Sequence, residues 1–295
     1  MVDVGTSFEI CTLSSAPVPR RVILSMKKLA LGFLSFFIFS AFVSDEEETY
    51  KYVRNESFTR GEEINFKMTY GMFTVGRGSA KIHPEYFKVN GRDCFKVDVN
   101  GKTVGMVDWV ADVNDSWGAY VDTAALVPHQ FYRKIREGRY KKDEWTSFDH
   151  KTRKIEVKSL DKKGKMKEPK YYEAPAHVRD MISGFLYLRV MDFSKLKVND
   201  TVLVTGFFED EFYKLKIVYK GKETVRLKVG KVRALVFRPV MPKNKLFDGE
   251  NSITAWFSDD KNRIPLKIDA EMFVGSAGVE LTSYKGLKNP LNIVK

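Results

Sequence analysis

Residues 212–237 read FYKLKIVYKGKETVRLKVGKVRALVF, and this stretch decides the fold class. Apolar side chains alternate in it with charged ones, which is the period of a β-strand, because successive side chains of a strand point to opposite faces of a sheet. Two breaks that contain glycine, Lys220-Gly221-Lys222 and Gly230-Lys231, are typical of hairpin turns. The stretch therefore predicts three antiparallel strands joined by two tight turns.

The same alternation recurs on both sides of this stretch. An early strand would share one apolar face among Ile64, Phe66, Met68 and Tyr70. The last strands are expected over residues 253–257, 264–270 and 279–284. Many antiparallel strands with few helices favour a mainly β fold, either a strongly curved sheet or a barrel-like one, because curling a sheet removes its exposed edges.

One segment departs from the strand period. In residues 178–190, Met181, Phe185 and Leu188 recur at helical spacing, which predicts a single α-helix inserted across the curved sheet. A lysine-rich loop and an extended approach precede this helix. We expect residues 45–295 to form one β-rich domain; if it divides into two halves, they meet near residues 161–177.

Residues 26–44 read MKKLALGFLSFFIFSAFVS and have the order of a secretory signal peptide. Two lysines precede the apolar run Leu29–Val43, which is short for a membrane span, and an acidic segment follows it. We expect translation to begin at Met26, which makes residues 1–25 a mis-annotated extension, and we expect no transmembrane span after removal of the signal. No Ala-x-Ala pair precedes the acidic segment, so an uncleaved anchor is the alternative.

The net charge indicates which partners to expect, and the cysteine content indicates whether a disulfide can form. The chain has a formal net charge of +12, and residues 45–295 keep +10, because residues 1–44 hold four basic and two acidic side chains. Outside the cytoplasm the available polyanions are lipid head groups and acidic glycans, so no nucleic-acid partner is expected. Loss of Cys11 with the leader would leave Cys94 without a disulfide partner, and its apolar neighbours predict a buried thiol.

Short motifs along the chain occur in an order that resembles one known family. They are Gly61-Glu62, Tyr70-Gly71, Val75-Gly76, Gly78, Pro128 with Phe131, Glu137-Gly138, Phe148-Asp149, Asp180 with Ser183, Leu186, Tyr187 and Arg189, Trp256 to Asp260, Arg263-Ile264-Pro265 and Gly275. Over roughly residues 58–281 this order resembles domain-of-unknown-function family 3108. The resemblance implies an exported β-rich envelope protein of Gram-negative bacteria, of the Bacteroidetes type, periplasmic or associated with the outer membrane. The family has no established activity, so the resemblance assigns no catalytic residue.

The start of the predicted helix holds the residue types of an acyl-transfer triad, His177, Asp180 and Ser183. Side chains stacked along one helix do not place a hydroxyl on the far nitrogen of an imidazole, and the chain has no G-x-S-x-G sequence. Asp180 is better interpreted as the helix N-cap or as an acid of the first turn. We therefore expect no catalytic residue here.

Arg189 requires a partner if it is buried, and Asp180, nine residues earlier, cannot supply one. Glu62, Asp108 and Asp149 are the candidates for a structural ion pair that fixes the helix against the strands. The other interpretation is an anion site formed by Arg179 and Arg189 at the mouth of the helix.

The remaining candidates for a metal site or a ligand site are the histidines and the tryptophans. The four histidines, His83, His129, His150 and His177, show no metal-ligand pairing, so neither a metal nor a cofactor is expected. Tryptophans in the strand-rich body could line a cavity for an acyl chain or a sugar, or could serve packing alone. The candidate ligand-binding residues are Arg179, Asp180, Arg189, Trp109 and Trp256.

The sequence thus predicts a non-catalytic envelope protein that binds or carries a lipid or glycan, or that scaffolds envelope assembly with another envelope protein. The alternative is an envelope hydrolase for glycan or ester bonds that uses Asp108, Asp149 or Asp180. A carrier requires a deep apolar cavity, whereas a glycosidase requires two carboxylates about 5–10 Å apart.

Overall fold

The alternating segments form one antiparallel sheet in the computed structural model, which describes residues 49–240, 249 and 252–294. The predicted start at Met26, the signal at residues 26–44 and Cys11 lie outside these residues. The strands are β1 (Glu63–Tyr70), β2 (Phe73–Val89), β3 (Arg92–Thr103), β4 (Asn114–Asp122), β5 (Pro128–Glu137), β6 (Tyr140–Asp149), β7 (Lys154–Ser159), β8 (Lys170–Glu173), β9 (Thr201–Phe208), β10 (Glu211–Leu227), β11 (Gly230–Pro239), β12 (Ile253–Ser258), β13 (Pro265–Glu271), β14 (Ser276–Lys285) and β15 (Ile293–Val294). The helices are α1 (Met106–Ala111) and α2 (Met181–Val190).

The sheet is built from two meanders that follow each other in sequence. Its strand order is β8-β7-β6-β5-β4-β3-β2-β1-β14-β13-β12-β11-β10-β9, with β15 beside β11. The first meander, β1–β8, joins the second, β9–β14, where β1 pairs with β14 from Glu63 opposite Lys285 to Tyr70 opposite Ala277. The prediction of a mainly β, antiparallel fold is confirmed, and the edges of the sheet are β8 and β9.

These two edges approach each other, so the sheet is strongly curved without closing into a barrel. Lys170 Nζ on β8 lies 2.6 Å from Asp210 Oδ2 in the β9–β10 turn. The ring centroids of Tyr172 and Phe207 are 5.1 Å apart. The amide of Phe207 donates to the carbonyl of Arg179 at 2.8 Å, so the segment that leads into α2 covers part of β9. This cover satisfies two backbone groups of the β9 edge, the amide of Phe207 and the carbonyl of Thr205, within the molecule.

Residues 212–237 form two strands rather than the predicted three. The β10 strand continues through Lys220-Gly221-Lys222, where its register with β11 shifts at a β-bulge. Gly221 has φ 108°, a conformation that glycine adopts without strain, and the chain passes through the bulge without reversing. The hairpin predicted at this site is wrong. The one at Gly230 is confirmed, because Leu227 pairs with Gly230 across a tight turn.

The predicted helix is α2, which begins at Met181, and Ile182 and Leu186 join the largest apolar cluster of the core. A second helix, α1, connects β3 to β4 and was not expected. Its six residues are too few to show a helical period in sequence. Cys94 is fully buried as predicted, and burial raises the pKa of its thiol to about 12.

Candidate functional site

An apolar cavity of about 400 Å³ lies between α2 and the strands at the junction of the two meanders. Its volume falls within the range of small-molecule sites, about 300–1,000 Å³. Alternate residues of neighbouring strands face it, because a strand presents every second side chain to the same side. Its apolar lining is Ile64, Phe66, Met68, Ala80, Ile82, Val97, Val99, Trp117, Met181, Ile182, Phe185, Leu186, Pro265, Ile268 and Val279.

A second apolar cavity, of about 260 Å³, adjoins the first. Phe185 and Ile268 line both cavities and so stand between them. The remaining wall comes from β9–β12 and from the end of α2. It consists of Leu188, Phe193, Val202, Leu215, Ile217, Phe237, Pro239, Ile253, Ala255 and Phe257.

One buried ion pair, Glu62 with Arg189, belongs to the wall of the first cavity. Arg189 Nη1 and Nη2 donate to Glu62 Oε1 and Oε2 at 2.5 and 2.9 Å, in a bidentate pair. Arg189 Nε donates to the carbonyl of Asn262 at 2.9 Å, and Ser57 O accepts from Nη2 at 3.4 Å. Of the three acids predicted as partners, Glu62 is the one that pairs. Glu62 and Arg189 therefore neutralise each other in this part of the cavity wall.

Arg179 and Arg189 do not form the predicted anion site at one helix mouth. Arg179 precedes α2 and Arg189, ten residues later, belongs to its last turn, and the helix rises about 12 Å from Met181 to Arg189. The Arg179 guanidinium carbon lies 3.6 Å from the ring centroid of Tyr187, and Nη1 donates to the carbonyl of His177 at 2.9 Å. Burial lowers the pKa of Arg179. Arg179 lines neither cavity.

Asp180 is the N-cap of α2, which is one of the two roles that the sequence left open. Asp180 Oδ1 accepts from the amide of Ser183 at 2.7 Å, and Ser183 Oγ accepts from the amide of Asp180 at 3.0 Å. This reciprocal capping box engages the Ser183 hydroxyl, which is fully buried. Burial raises the pKa of Asp180 to about 7. Both residues therefore serve the helix start and form no acyl-transfer triad.

The tryptophans predicted as ligand contacts, Trp109 and Trp256, line neither cavity. Trp109 is 94% exposed on α1. Ala255 and Phe257 face the second cavity, so strand alternation turns Trp256 to the other side, where its indole donates to Glu223. The tryptophan that does line the first cavity is Trp117. Its position in the apolar alternation of β4 was the sequence signal that could have identified it.

The acids proposed for a hydrolase are spread over three elements. Asp108 on α1 accepts from Thr103 Oγ1 at 2.6 Å and borders a polar pocket with Asp112. Asp149 ends β6 and accepts from the amide of Lys151 at 3.0 Å. Neither of these acids nor Asp180 lines an apolar cavity. Within the described residues, no group of three or more His, Cys, Asp or Glu side chains could hold a metal ion.

A family model described as "Protein of unknown function (DUF3108)" matches residues 65–282. The chain belongs to the DUF3108 family. The resemblance inferred from the ordered motifs is confirmed by this match. A search of curated proteins finds no match to the chain. Family membership of this kind supplies a fold and a relationship, and it assigns no reaction.

The solved structures that are similar to this DUF3108 chain have low sequence identity to it. A beta-barrel-like protein of domain family DUF1849 from Brucella abortus has 12% identity and a TM-score of 0.50, covering 79% of this chain and 98% of its own. The hypothetical protein CT021 from Chlamydia trachomatis has 7% identity and a TM-score of 0.35, covering 80% and 93%. A candidate exported protein with a YmcC-like fold from Bacteroides fragilis has 8% identity and a TM-score of 0.30, covering 79% and 99%.

The Brucella structure bears on the fold alone, and its beta-barrel-like description agrees with the strongly curved sheet seen here. Among the residues that the structure describes, no helix has both the length and the apolar character needed to cross a bilayer.

Proposed function

We propose that this DUF3108 protein is exported to the cell envelope, where it binds and carries an apolar component, the acyl chain of a lipid. The observation that carries the proposal is the first cavity, whose lining is almost wholly apolar. Burial of apolar surface contributes about 25 cal/mol per Å² to binding. A sugar would need several polar partners around it. Of the four charged residues at this wall, Glu62 and Arg189 pair with each other, and Lys267 pairs with Asp269, which leaves Lys81. The cavity therefore favours an acyl chain over a glycan.

Export is supported by the signal-like pattern of residues 26–44 and by the positive charge of the chain, which suits an envelope rich in anionic lipids. A role in binding rather than catalysis is supported by the positions of Asp108, Asp149 and Asp180, which line neither apolar cavity.

Native mass spectrometry of the protein recovered from its own periplasm tests the proposal, together with displacement of a fluorescent fatty acid by unlabelled fatty acid. Val279→Phe places a ring in the first cavity, and we expect it to weaken binding more than about tenfold, or 1.4 kcal/mol. Val279→Ala is the matched control, because it keeps the site apolar and leaves the space open. Its affinity should stay within about threefold of wild type.

A second filling variant, Ala80→Phe on β2, guards against a local folding defect at Val279. Thermal unfolding of each variant shows whether the fold is retained. If both folded filling variants bind the fatty acid as wild type does, or if the wild type neither carries an apolar ligand nor binds the probe, the proposed function is wrong.

A further inference from the structure

Three neighbouring loops at one end of the sheet carry exposed apolar side chains. Because neighbouring strands are antiparallel, the connections that leave the odd-numbered strands lie at one end, and those that leave the even-numbered strands lie at the opposite end. The β1–β2 turn, the β3–β4 connection with α1 and the β13–β14 turn belong to the first group.

These three connections carry exposed apolar side chains. Met72 is 95% exposed, Trp109 94% and Val274 76%. The full set, which we term the apolar rim, is Met72, Phe73, Met106, Trp109, Phe273 and Val274. Large apolar side chains grouped on a surface mark a site of interaction, whereas single ones are ordinary.

Hydrogen bonds show that the three connections are direct neighbours. The Tyr70 hydroxyl donates to the carbonyl of Val274 at 2.5 Å, which ties the first strand to the β13–β14 turn. The amide of Gly71 donates to Ser276 O at 2.8 Å. On the other side, the amide of Val104 donates to Val75 O at 3.0 Å. The connections that carry the apolar rim are therefore adjacent to one another along this end of the sheet.

The opposite end of the sheet has polar turns. The β2–β3 turn is Asn90-Gly91, the β6–β7 turn contains Lys151 and Thr152, and the β12–β13 turn contains Asp259 to Lys261. Exposed apolar side chains are thus grouped on the three connections of the rim and are absent from these three polar turns; at the opposite end Val198 is a single exposed apolar residue.

Beyond α1, the same end of the sheet carries a basic surface. The β5–β6 hairpin follows α1 around the sheet, because the amide of Gly138 donates to Asp112 O at 2.9 Å, and the β7–β8 loop follows that hairpin. Its exposed cations, which we term the basic arc, are Arg139, Lys141, Lys162, Lys163, Lys165 and Lys167. The acids in the same two loops are Glu137, Asp161 and Glu168, and the Asp161 carboxylate already accepts from backbone amides of its own turn. The arc is net positive, although α1 carries Asp108 and is followed directly by Asp112.

The first cavity reaches close to this end of the molecule. Met68 lines the cavity two residues before β1 ends at Tyr70, and Gly101 lines it two residues before β3 ends at Thr103. At about 3.3 Å per residue, two residues of strand span about 7 Å.

We propose that the apolar rim inserts into the interfacial layer of an anionic lipid bilayer, with the basic arc against its head groups. Trp, Phe and Met side chains suit the boundary between head groups and acyl chains, and lysines add attraction to anionic lipid. Docking of the apolar rim and the basic arc depends only on the exposed surface and not on the cavity. Exchange of an acyl chain between the bilayer and the first cavity is the further step, and that step rests on the proposed function.

Quenching by brominated phospholipids tests the docking. The chain has four tryptophans, and Trp109 is the one on the apolar rim. Residues 1–48 contain no tryptophan, so the N-terminal apolar run adds no signal. With vesicles of phosphatidylglycerol and phosphatidylethanolamine whose chains are brominated, we expect wild-type fluorescence to be quenched. Trp109→Phe keeps an apolar residue and should lose most of that quenching while it still sediments with the vesicles.

Partitioning onto the same vesicles supplies a second readout. Met72→Ser, Phe73→Ser and Phe273→Ser combined should weaken partitioning about tenfold or more. The matched control is Val198→Ser with Leu203→Ser, two exposed apolar residues that lie off the rim, and it should partition as wild type does. Lys162→Glu with Lys163→Glu should weaken binding to anionic vesicles and leave neutral phosphatidylcholine vesicles unaffected.

The outcomes separate this proposal from the carrier function. Val279→Phe fills the cavity and should dock as wild type does, so loss of fatty-acid binding with intact docking leaves the rim proposal standing. Undiminished quenching in Trp109→Phe, or a rim variant that partitions as wild type does, overturns the docking proposal. A rim variant that loses a protein partner and keeps its vesicle binding would assign the rim to protein contact and would overturn it as well.

Discussion

At the scale of single residues, Asp180 is a buried carboxyl group that also caps a helix. Its Oδ1 atom caps α2, whereas Oδ2 is buried and accepts no hydrogen bond from the described residues. Burial disfavours the charged carboxylate and raises the pKa of Asp180 to about 7, against an ordinary value of 3.8. The folded protein therefore holds this carboxyl protonated over a range of pH in which the unfolded chain ionises it.

A pH dependence of stability follows from that difference. The contribution of Asp180 to the free energy of unfolding is present in full below pH 3.8 and is lost as pH rises through about 7. Asp180→Asn is neutral at every pH and still caps the helix. Its free energy of unfolding relative to that of wild type should therefore increase by on the order of 3 kcal/mol between pH 4.5 and 8. Urea unfolding of both proteins across that range measures the difference.

The comparison must be a difference between variants, because His150 acts in the opposite direction. Burial lowers the pKa of His150 to about 4, so its contribution to stability is lost as pH falls from 6.5 towards 4. If the free energies of unfolding of wild type and Asp180→Asn differ by the same amount across the pH range, Asp180 is not the source of the pH dependence.

At the scale of elements, α2 carries a glycine in its interior. Gly184 is buried, and a Cβ atom there would lie 3.7 Å from Val204 Cγ1 and 3.8 Å from Arg179 Cβ, which are ordinary contacts. Glycine in a helix interior is less stable than alanine by about 0.5–1 kcal/mol. Gly184→Ala should therefore raise the free energy of unfolding by about that amount, as measured in urea.

Gly118 on β4 is the matched control. A Cβ atom at this position would overlap the ring of Tyr132, whose hydroxyl donates to Asp98. Gly118→Ala should therefore lower the free energy of unfolding by about 1–3 kcal/mol, because the ring must move. If both substitutions destabilise the protein equally, the space inferred beside Gly184 does not exist.

The elements also show where sequence patterns are sufficient. The alternation of Ile64, Phe66 and Met68 predicted a shared face, and that face is a wall of the first cavity. The glycine break at Lys220-Gly221-Lys222 predicted a turn and is a bulge within β10. Glycine permits both conformations, and the pairing of β10 with β11 both before and after Gly221 selects the bulge.

At the scale of the whole molecule, Arg189 joins three distant parts of the chain. It links α2 to Glu62 before β1, to the carbonyl of Ser57 and to the carbonyl of Asn262 in the β12–β13 turn. Arg189 is 1% exposed and Glu62 2%. Loss of one partner leaves a buried charge uncompensated, which makes this pair important for the position of α2 over the cavity.

Arg189→Leu should lower the free energy of unfolding by about 3–5 kcal/mol, because it leaves Glu62 charged and buried. Glu62→Leu combined with Arg189→Leu removes both charges and should recover at least about 1 kcal/mol of that loss. Urea unfolding of the two single variants and the double variant completes the thermodynamic cycle. Additive losses would show that the two side chains stabilise the fold independently.

The amino-acid sequence by itself determined the strand period, the place of α2 and the membership of the DUF3108 family. Each of these depends on residues that are close in the chain or on the order of short motifs. The tertiary structure alone decided that Arg189 pairs with Glu62, 127 residues away, that Trp117 rather than Trp256 lines the first cavity, and that apolar tips gather at one end of the sheet. The physical reason is that partners, cavities and surfaces depend on which strands become neighbours and on how strongly the sheet curves. Local periodicity does not specify either of these.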